Sequence, residues 1–428
     1  MTQLRDYQQR GVDDIRAAFR AKKRRPLYVL STGGGKTITF TYIAHNAAAR
    51  RNRVLITVHR VELLRQTSAA LDKFGVAHGI IAPGYKPTRE AVQVCMVQTM
   101  QRRIEKLAWQ PDLIIIDEAH HATAGQWATI IKAYPDAHVL GVTATPIRSD
   151  GKPLGDLFDC MIEGPSIRDL IAQGHLVKPV VFCPPSLIDT TGLRKRGGDW
   201  ENAGLAERTN TKAITGDAIA HYRKLLNGAP AIAFCASVKH AEDIAEDFRR
   251  QGFRWAAVHG GMEADDRRRT LDDLGRGLLN GVSSCDVISE GTDIPAVHGA
   301  ILLRKTESVG LYLQQVGRAL RPAPGKQNAI IVDHVGNVGR MENGKFQPNH
   351  DMPDVDREWS LEGEENGRPR AKKAEAEVKN RQCPECYEVH ELAPRCPNCG
   401  HLYAYEKQHR VIEADLHQVD EEQRIQAE

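Results

Sequence analysis

The feature that most constrains this chain is a rhythm that plays twice along it. Short apolar runs, Leu27–Leu30, Val54–Val58, Val92–Val97, Leu113–Ile116 and His138–Thr143, alternate with helix-patterned stretches such as VELLRQTSAALDKF. The runs are too short for helices, and they are continuous rather than alternating, as expected of strands covered on both faces. The rhythm predicts an α/β fold with a parallel sheet. After Pro146 it lapses into a Gly- and Pro-containing stretch with a basic tip, LRKRGGDW. It resumes at Ala231–Ser237, Arg254–Gly260, Gly299–Arg304 and Ala329–His334. Two α/β domains in tandem are therefore expected, over residues 1–178 and 179–340. Residues 341–381 read as a polar linker with one packed anchor at REWSL, residues 382–403 as a small cysteine module, and residues 404–428 as an acidic tail.

Composition narrows the function classes. With 428 residues the chain can bury two or three cores. No apolar run approaches membrane-spanning length and the N-terminal MTQLRDYQQRG carries no apolar leader, so no membrane partner is expected and the expected setting is the cytoplasm. A net charge of +3 is too small to argue a polyanion partner by itself, so any basic track must be local. Of nine cysteines, Cys95, Cys160, Cys183, Cys235 and Cys285 read as small buried residues.

The chemistry begins at LSTGGGKT, Leu30–Thr37, placed after one expected strand and before an expected helix. That is the context of a phosphate-binding loop. Thr32, Gly33, Gly34 and Gly35 can curl backbone N–H groups around one anion. The helix N-terminus adds a positive end, Lys36 reaches the β and γ phosphates, and Thr37 offers a hydroxyl to Mg²⁺. Leu30 stands where the full pattern has its first glycine, so the loop is a truncated form. The run IIIDEAHHA then explains itself. Asp117 and Glu118 end a buried strand at the sheet edge where α/β folds bind ligands. Asp117 suits Mg²⁺, held through water, and Glu118 suits a base that orients and deprotonates an attacking water. Together with the loop they read as a nucleotide hydrolase site.

In order along about residues 4–335, the motifs resemble those of the superfamily 2 helicases, nucleic-acid-dependent motor ATPases. The resemblance implies two RecA-like domains and assigns roles by position. LRDYQQ is similar to the adenine-side motif, which gives Gln8 the base contact and Arg5 a supporting one. TVHRVELLRQ and VQT stand where the family contacts the nucleic-acid backbone, implicating His59, Arg60, Gln66, Gln98 and Thr99. TATP resembles the motif that couples hydrolysis to movement, here Thr143 and Thr145 with His120 of DEAH. In the second half Ser237, His259 and Gly260 fall at nucleic-acid positions. SEGTDIP supplies Gly291 and Asp293 toward the nucleotide and Thr292 toward the backbone. QQVGRALR matches the arginine motif, with Gln314 to position water. Arg318 and Arg321 lie three apart on an expected helix, hence on one face, suited to neutralise charge on the γ-phosphoryl group across the cleft.

TATP, SEGTDIP and the DHVGN…REWSL tail are more similar to the branch of DNA repair helicases and restriction-enzyme translocation subunits than to the RNA helicases named for DEAH. That implies DNA, duplex or branched, as partner, 3′→5′ tracking, and a bacterial or phage-infected cell as setting. The alternatives are an ATP-gated clamp or sensor without processive unwinding, and an RNA helicase. Near the C-terminus, CPEC…CPNCG sets Cys383, Cys386, Cys396 and Cys399 as two C-x-x-C knuckles, enough for one tetrahedral S₄ site. Zn²⁺ is the expected ion and rubredoxin-like iron the alternative. Two roles fit the module: a nucleic-acid contact through residues such as Arg381 and Arg395, or a metal-stapled cap that packs on the second domain or docks a protein partner.

Overall fold

A computed structural model describes residues 3–106, 109–122, 125–148, 151–184, 191–196, 199–288, 297–342, 345–362 and 380–403. Two sheets form the frame. The first contains β1 (Pro26–Val29), β2 (Val54–Val58), β3 (His78–Ile81), β4 (Val92–Met96), β5 (Leu113–Asp117), β6 (His138–Thr143) and β7 (Cys160–Glu163). Their order is β3-β4-β2-β5-β6-β1-β7, and all pairings are parallel. The run of aliphatics that opens DEAH is explained by this placement. Ile115 packs into the core on one face of the sheet and Ile114 and Ile116 into the core on the other, so β5 is aliphatic until it reaches Asp117 at its C-terminal end.

The chain then forms β8 (Lys178–Phe182), the small hairpin β9 (Lys195–Arg196) and β10 (Asp199–Trp200), and β11 (Ala231–Phe234), β12 (Trp255–His259), β13 (Gly281–Cys285), β14 (Gly299–Leu302) and β15 (Asn328–Asp333). A second hairpin follows, β16 (Gly339–Glu342) with β17 (Lys345–Pro348), and the chain ends in β18 (Asn380–Gln382) and β19 (Glu388–Glu391). The second sheet runs β12-β13-β11-β14-β15-β8-β19-β18, parallel as far as β8 and antiparallel after it.

Two features tie the C-terminal segments to the frame. The cysteine module packs on the second domain, one of the two roles expected of it: Val389 of β19 pairs with Val181 of β8 and is buried, so the module supplies the last strands of the second sheet. The anchor expected at REWSL is present in the first half of 341–381. After β17 the chain packs back as a strap, in which Arg357 is buried and donates to the carbonyls of His350 (2.7 Å) and Val355 (2.8 Å). The strap ends on the first domain, where Leu361 O accepts from Gly155 N at 2.9 Å and Trp359 packs against apolar residues of both cores. Cys160 departs from the sequence expectation, being half-buried, whereas Cys95, Cys183, Cys235 and Cys285 are buried.

Candidate active site

β1 delivers the chain into the loop 30–35, and the helix Lys36–Ala49 leaves it. Gly33 (φ 85°) and Gly35 (φ 87°) are left-handed, which other residues reach only at a cost, so the glycines are what allow the curl. Gln8 and Tyr7, on the helix Asp6–Arg20, clasp the loop from behind. Gly34 O accepts from Tyr7 Oη at 2.8 Å and from Gln8 Nε2 at 3.1 Å. Arg5 Nη1 in turn donates to Tyr7 Oη at 3.1 Å. Tyr7 was not among the sequence candidates, although its hydroxyl makes the shorter of the two bonds. Thr32 is buried, while Lys36 and Thr37 at the helix start are half-buried.

The carboxylates lie at the end of β5, two strands from β1. Lys36 Nζ stands 3.5 Å from Glu118 Oε1, with both side chains largely shielded from solvent. Glu118 is left-handed (φ 49°), a conformation uncommon for a residue with a side chain, and its N–H donates to Asp117 Oδ1 at 3.0 Å. His120 connects this pair to TATP. Thr143 Oγ1 donates to Thr145 O (2.9 Å) and accepts from Thr145 N (3.2 Å). Its one proton is thereby used, so His120 Nδ1, 2.9 Å away, must be the protonated nitrogen and donate to it. The same Nδ1 is 3.5 Å from Glu118 Oε2.

The second domain reaches this site through the helix Val309–Ala319, capped by Ser308 Oγ accepting from Leu311 N at 3.2 Å. All of its residues except Leu311 are buried, including Gln314 and Arg318. Two glycines let it lie against the first domain. A Cβ at Gly317 would fall 2.9 Å from Thr32 Cβ and closer still to its methyl, and one at Gly310 would fall 2.9 Å from Thr145 Oγ1. The arginine helix therefore rests on the phosphate loop at one end and on TATP at the other. Arg321, expected on the same helix face as Arg318, lies beyond the helix, which ends at Ala319, and is half-buried.

Most of the described residues assigned to the nucleic acid follow C-terminal strand ends, where parallel sheets bind ligands, and Gln66 stands further along a helix. His59 and Arg60 follow β2, and Arg60 Nη1 donates to Asp286 O after β13 (2.8 Å), across the two sheets. Gln98 is exposed and Thr99 half-buried at the start of the helix after β4, and Gln66 is half-buried on the helix after β2. Ser237 caps the helix after β11, accepting from His240 N at 3.1 Å. His259 ends β12 with Nε2 3.4 Å from Glu242 Oε1, and Gly260 beyond it is exposed. His121, not singled out from the sequence, sets its ring centroid 4.5 Å from that of His59 and 4.1 Å from that of His120, tilted against both. Gly291, Thr292 and Asp293 lie outside the described residues.

The four thiols of the C-terminal module lie within 4.8 Å of one another. Cys383 and Cys399 Sγ are 3.6 Å apart, Cys386 and Cys396 Sγ 3.5 Å. Metal–sulfur bonds of about 2.3 Å in a tetrahedron need sulfurs about 3.8 Å apart, so the donor set fits one ion. Each knuckle closes with an amide back-bond, Tyr387 N to Cys383 O and Gly400 N to Cys396 O, both 3.0 Å, with Tyr387 (φ 63°) and Gly400 (φ 74°) left-handed. Burial pushes the Cys383 thiol up, but the amides of Cys386 and Glu385 and the Tyr403 hydroxyl outweigh it and bring it down to about 6.

Comparison with known proteins agrees with this geometry. Residues 1–148 match the family described as type III restriction enzyme, res subunit, and residues 217–323 match the helicase conserved C-terminal domain. A 51.5 kDa protein of a Lactococcus phage is 32% identical over 91% of this chain and 81% of its own length. The DNA 3′-5′ translocase XPB2 of Sulfurisphaera tokodaii is 23% identical over 78% of this chain and 81% of its own. Three further relatives are longer, and the chain spans 51%, 58% and 59% of them. Among solved structures, a fragment assigned to the HsdR subunit of a type I restriction enzyme from Vibrio vulnificus superposes with a TM-score of 0.62 at 23% identity. That superposition covers 77% of this chain and 63% of the other and shows the shared fold. Phosphate loop, DEAH carboxylates and arginine helix thus belong to a nucleic-acid-dependent ATPase, and the chain is a member of the superfamily 2 helicases.

Proposed function

We propose that the chain is an ATP-driven motor that moves on DNA without reading its sequence, on duplex or branched substrates and in the 3′→5′ direction. One observation carries the reading: the hydrolytic site is split between the sheets. Lys36 and Glu118 stand together on the first domain, and the second domain's arginine helix rests directly on the phosphate loop. Nucleotide contacts on both sides are complete only when the helix sits there, so nucleotide state and interdomain geometry are tied. Lys36 and the loop amides hold the phosphates, and Glu118 orients and deprotonates the attacking water, its carboxylate kept in place by Lys36 and His120. Thr37 and Asp117 are the oxygen donors for Mg²⁺, which supplies positive charge at the phosphates. Gln314, Arg318 and Arg321 act from the opposite side.

The second grip is the row of strand ends carrying His59, Arg60, Thr99, Ser237 and His259. Because the row lies on both sheets, relative movement of the domains moves one set of backbone contacts past the other. Such contacts carry no base information and predict salt-sensitive, sequence-independent binding. The module of Cys383, Cys386, Cys396 and Cys399 holds Zn²⁺ in a structural role, favoured over a separate nucleic-acid arm because β19 is a strand of the second sheet.

ATP hydrolysis with single-stranded, duplex and forked DNA and with RNA, beside Lys36→Ala, tests the reading. Strong stimulation by DNA that Lys36→Ala abolishes is the expected result. Stimulation by RNA alone would reassign the partner. DNA stimulation without displacement of a triplex strand would favour a clamp over a motor.

A further inference from the structure

The arginine helix ends among carbonyls that its own turns cannot satisfy. Leu320 O accepts from Val177 N at 2.9 Å, from the segment that joins the two domains. Its neighbours are met by one side chain. Lys326 Nζ donates to Ala319 O, to Arg321 O (2.7 Å) and to Val297 O (2.6 Å). Lys326 is buried, 8% exposed, so its ammonium has left water, and its three N–H groups meet three carbonyls. The turn Ala323–Lys326 aims it there: Lys326 N donates to Ala323 O at 3.0 Å, and Gly325 (φ 75°) after Pro324 takes the left-handed place of the turn.

A surface lysine that stabilises the fold needs none of this. Two of the three acceptors, Ala319 and Arg321, lie at and just beyond the helix end that carries Arg318, and the third, Val297, lies in the segment entering β14. The clamp sets how far the helix end stands from the sheet and hence where the two guanidinium groups project. We propose that Lys326 is a positioning residue for hydrolysis, fixing the arginine helix end so that Arg318 and Arg321 meet the phosphates held on the first domain. The inference rests on the proposed role of those arginines. Burial, and secondarily the charge of Arg321, push the Lys326 ammonium down to about 8. Arg321 is the charged group beside it, and His298 is the titratable neighbour on the Val297 segment. Above that pH a neutral amine has two protons for three carbonyls, and the clamp loosens within the range of ordinary assays.

The test is steady-state ATP hydrolysis at saturating single-stranded DNA from pH 6.5 to 9.5, for the full chain, Lys326→Met, Lys326→Arg and Arg318→Ala. Lys326→Met is expected to lower kcat about tenfold or more while KM for ATP stays within about twofold, because ground-state contacts reside on the first domain. The unmodified chain is expected to lose kcat as pH rises through about 8. Lys326→Arg, whose cation keeps its proton across this range, is expected to lose that alkaline limb even if Lys326→Met fails to fold. An unchanged kcat in Lys326→Met, or an alkaline limb that persists in Lys326→Arg, would overturn the proposal. Undiminished hydrolysis in Arg318→Ala would instead overturn the role of the arginines on which it rests.

Discussion

Gly317 offers the sharpest test of the split site. It lies within the arginine helix, where glycine is intrinsically poor, destabilising by about 1 kcal/mol relative to alanine. Gly317→Ala would therefore stabilise an isolated helix. In the folded chain the new Cβ would stand 2.9 Å from Thr32 Cβ and nearer its methyl, where ordinary contact begins at 3.4 Å. Thr32 is buried in the phosphate loop and cannot swing away, so the helix must recede by about 1 Å. Displacements of that size at a reacting centre cost about 10²-fold in rate, or about 2.7 kcal/mol of barrier. The expected result is a kcat about 100-fold lower with KM for ATP little changed and a thermal midpoint unchanged or raised. Thr32→Ser removes the methyl that stands nearest, so adding it to Gly317→Ala should recover part of the loss, about tenfold. A Gly317→Ala enzyme within about twofold of the parent kcat would refute the closed contact between helix and loop.

Three further outcomes follow from the geometry. Glu118→Gln keeps the shape of the site but removes the base, so kcat should fall about 10²–10⁴-fold with nucleotide binding retained, measured by single-turnover hydrolysis and equilibrium binding. Stripping the site of Cys383, Cys386, Cys396 and Cys399 with a strong chromogenic chelator should release the metal, read as the zinc–chelator complex. The loss should lower the melting point of the full chain by about 4–8 °C, because β19 leaves β8 and Val389 alone accounts for about 2 kcal/mol of burial; an unmoved midpoint would mean that the module is not coupled to the sheet. His240 is fully buried, and burial holds its imidazole down to about 4, so the folded chain binds fewer protons than the unfolded one below pH 6.5. Its contribution of about 3 kcal/mol is present above 6.5 and is lost as pH falls to about 4. Denaturant unfolding of His240→Asn should show a shallower decline across that window.

What could be read from the sequence was whatever chemistry is local in the chain. A phosphate loop needs its glycines, lysine and threonine in one run, two acids must end one strand, and paired thiols need C-x-x-C spacing, so Lys36, Glu118, Arg318 and Cys383 were all visible as residues. Strands buried on both faces announced themselves as aliphatic runs. Those that did not were missed. β13, GVSSC, hides buried Ser283, whose hydroxyl is satisfied by Ala241 O, and β7, CMIE, is only partly buried at the sheet edge.

Tertiary structure decided everything that depends on which distant backbones meet. That the cysteine module completes the second sheet was set by the free edge of β8, to which Val389 lies more than two hundred residues away in sequence. That 345–362 returns to the first domain was set by the Gly155 amide, which donates to Leu361 O, and by an apolar face able to pack Trp359. Lys326 looks in sequence like any lysine after Pro-Gly, and only the folded helix end gives it three carbonyls to hold. Motif chemistry is written in neighbouring residues, whereas packing and hydrogen-bond satisfaction are properties of surfaces that exist only after the chain has folded.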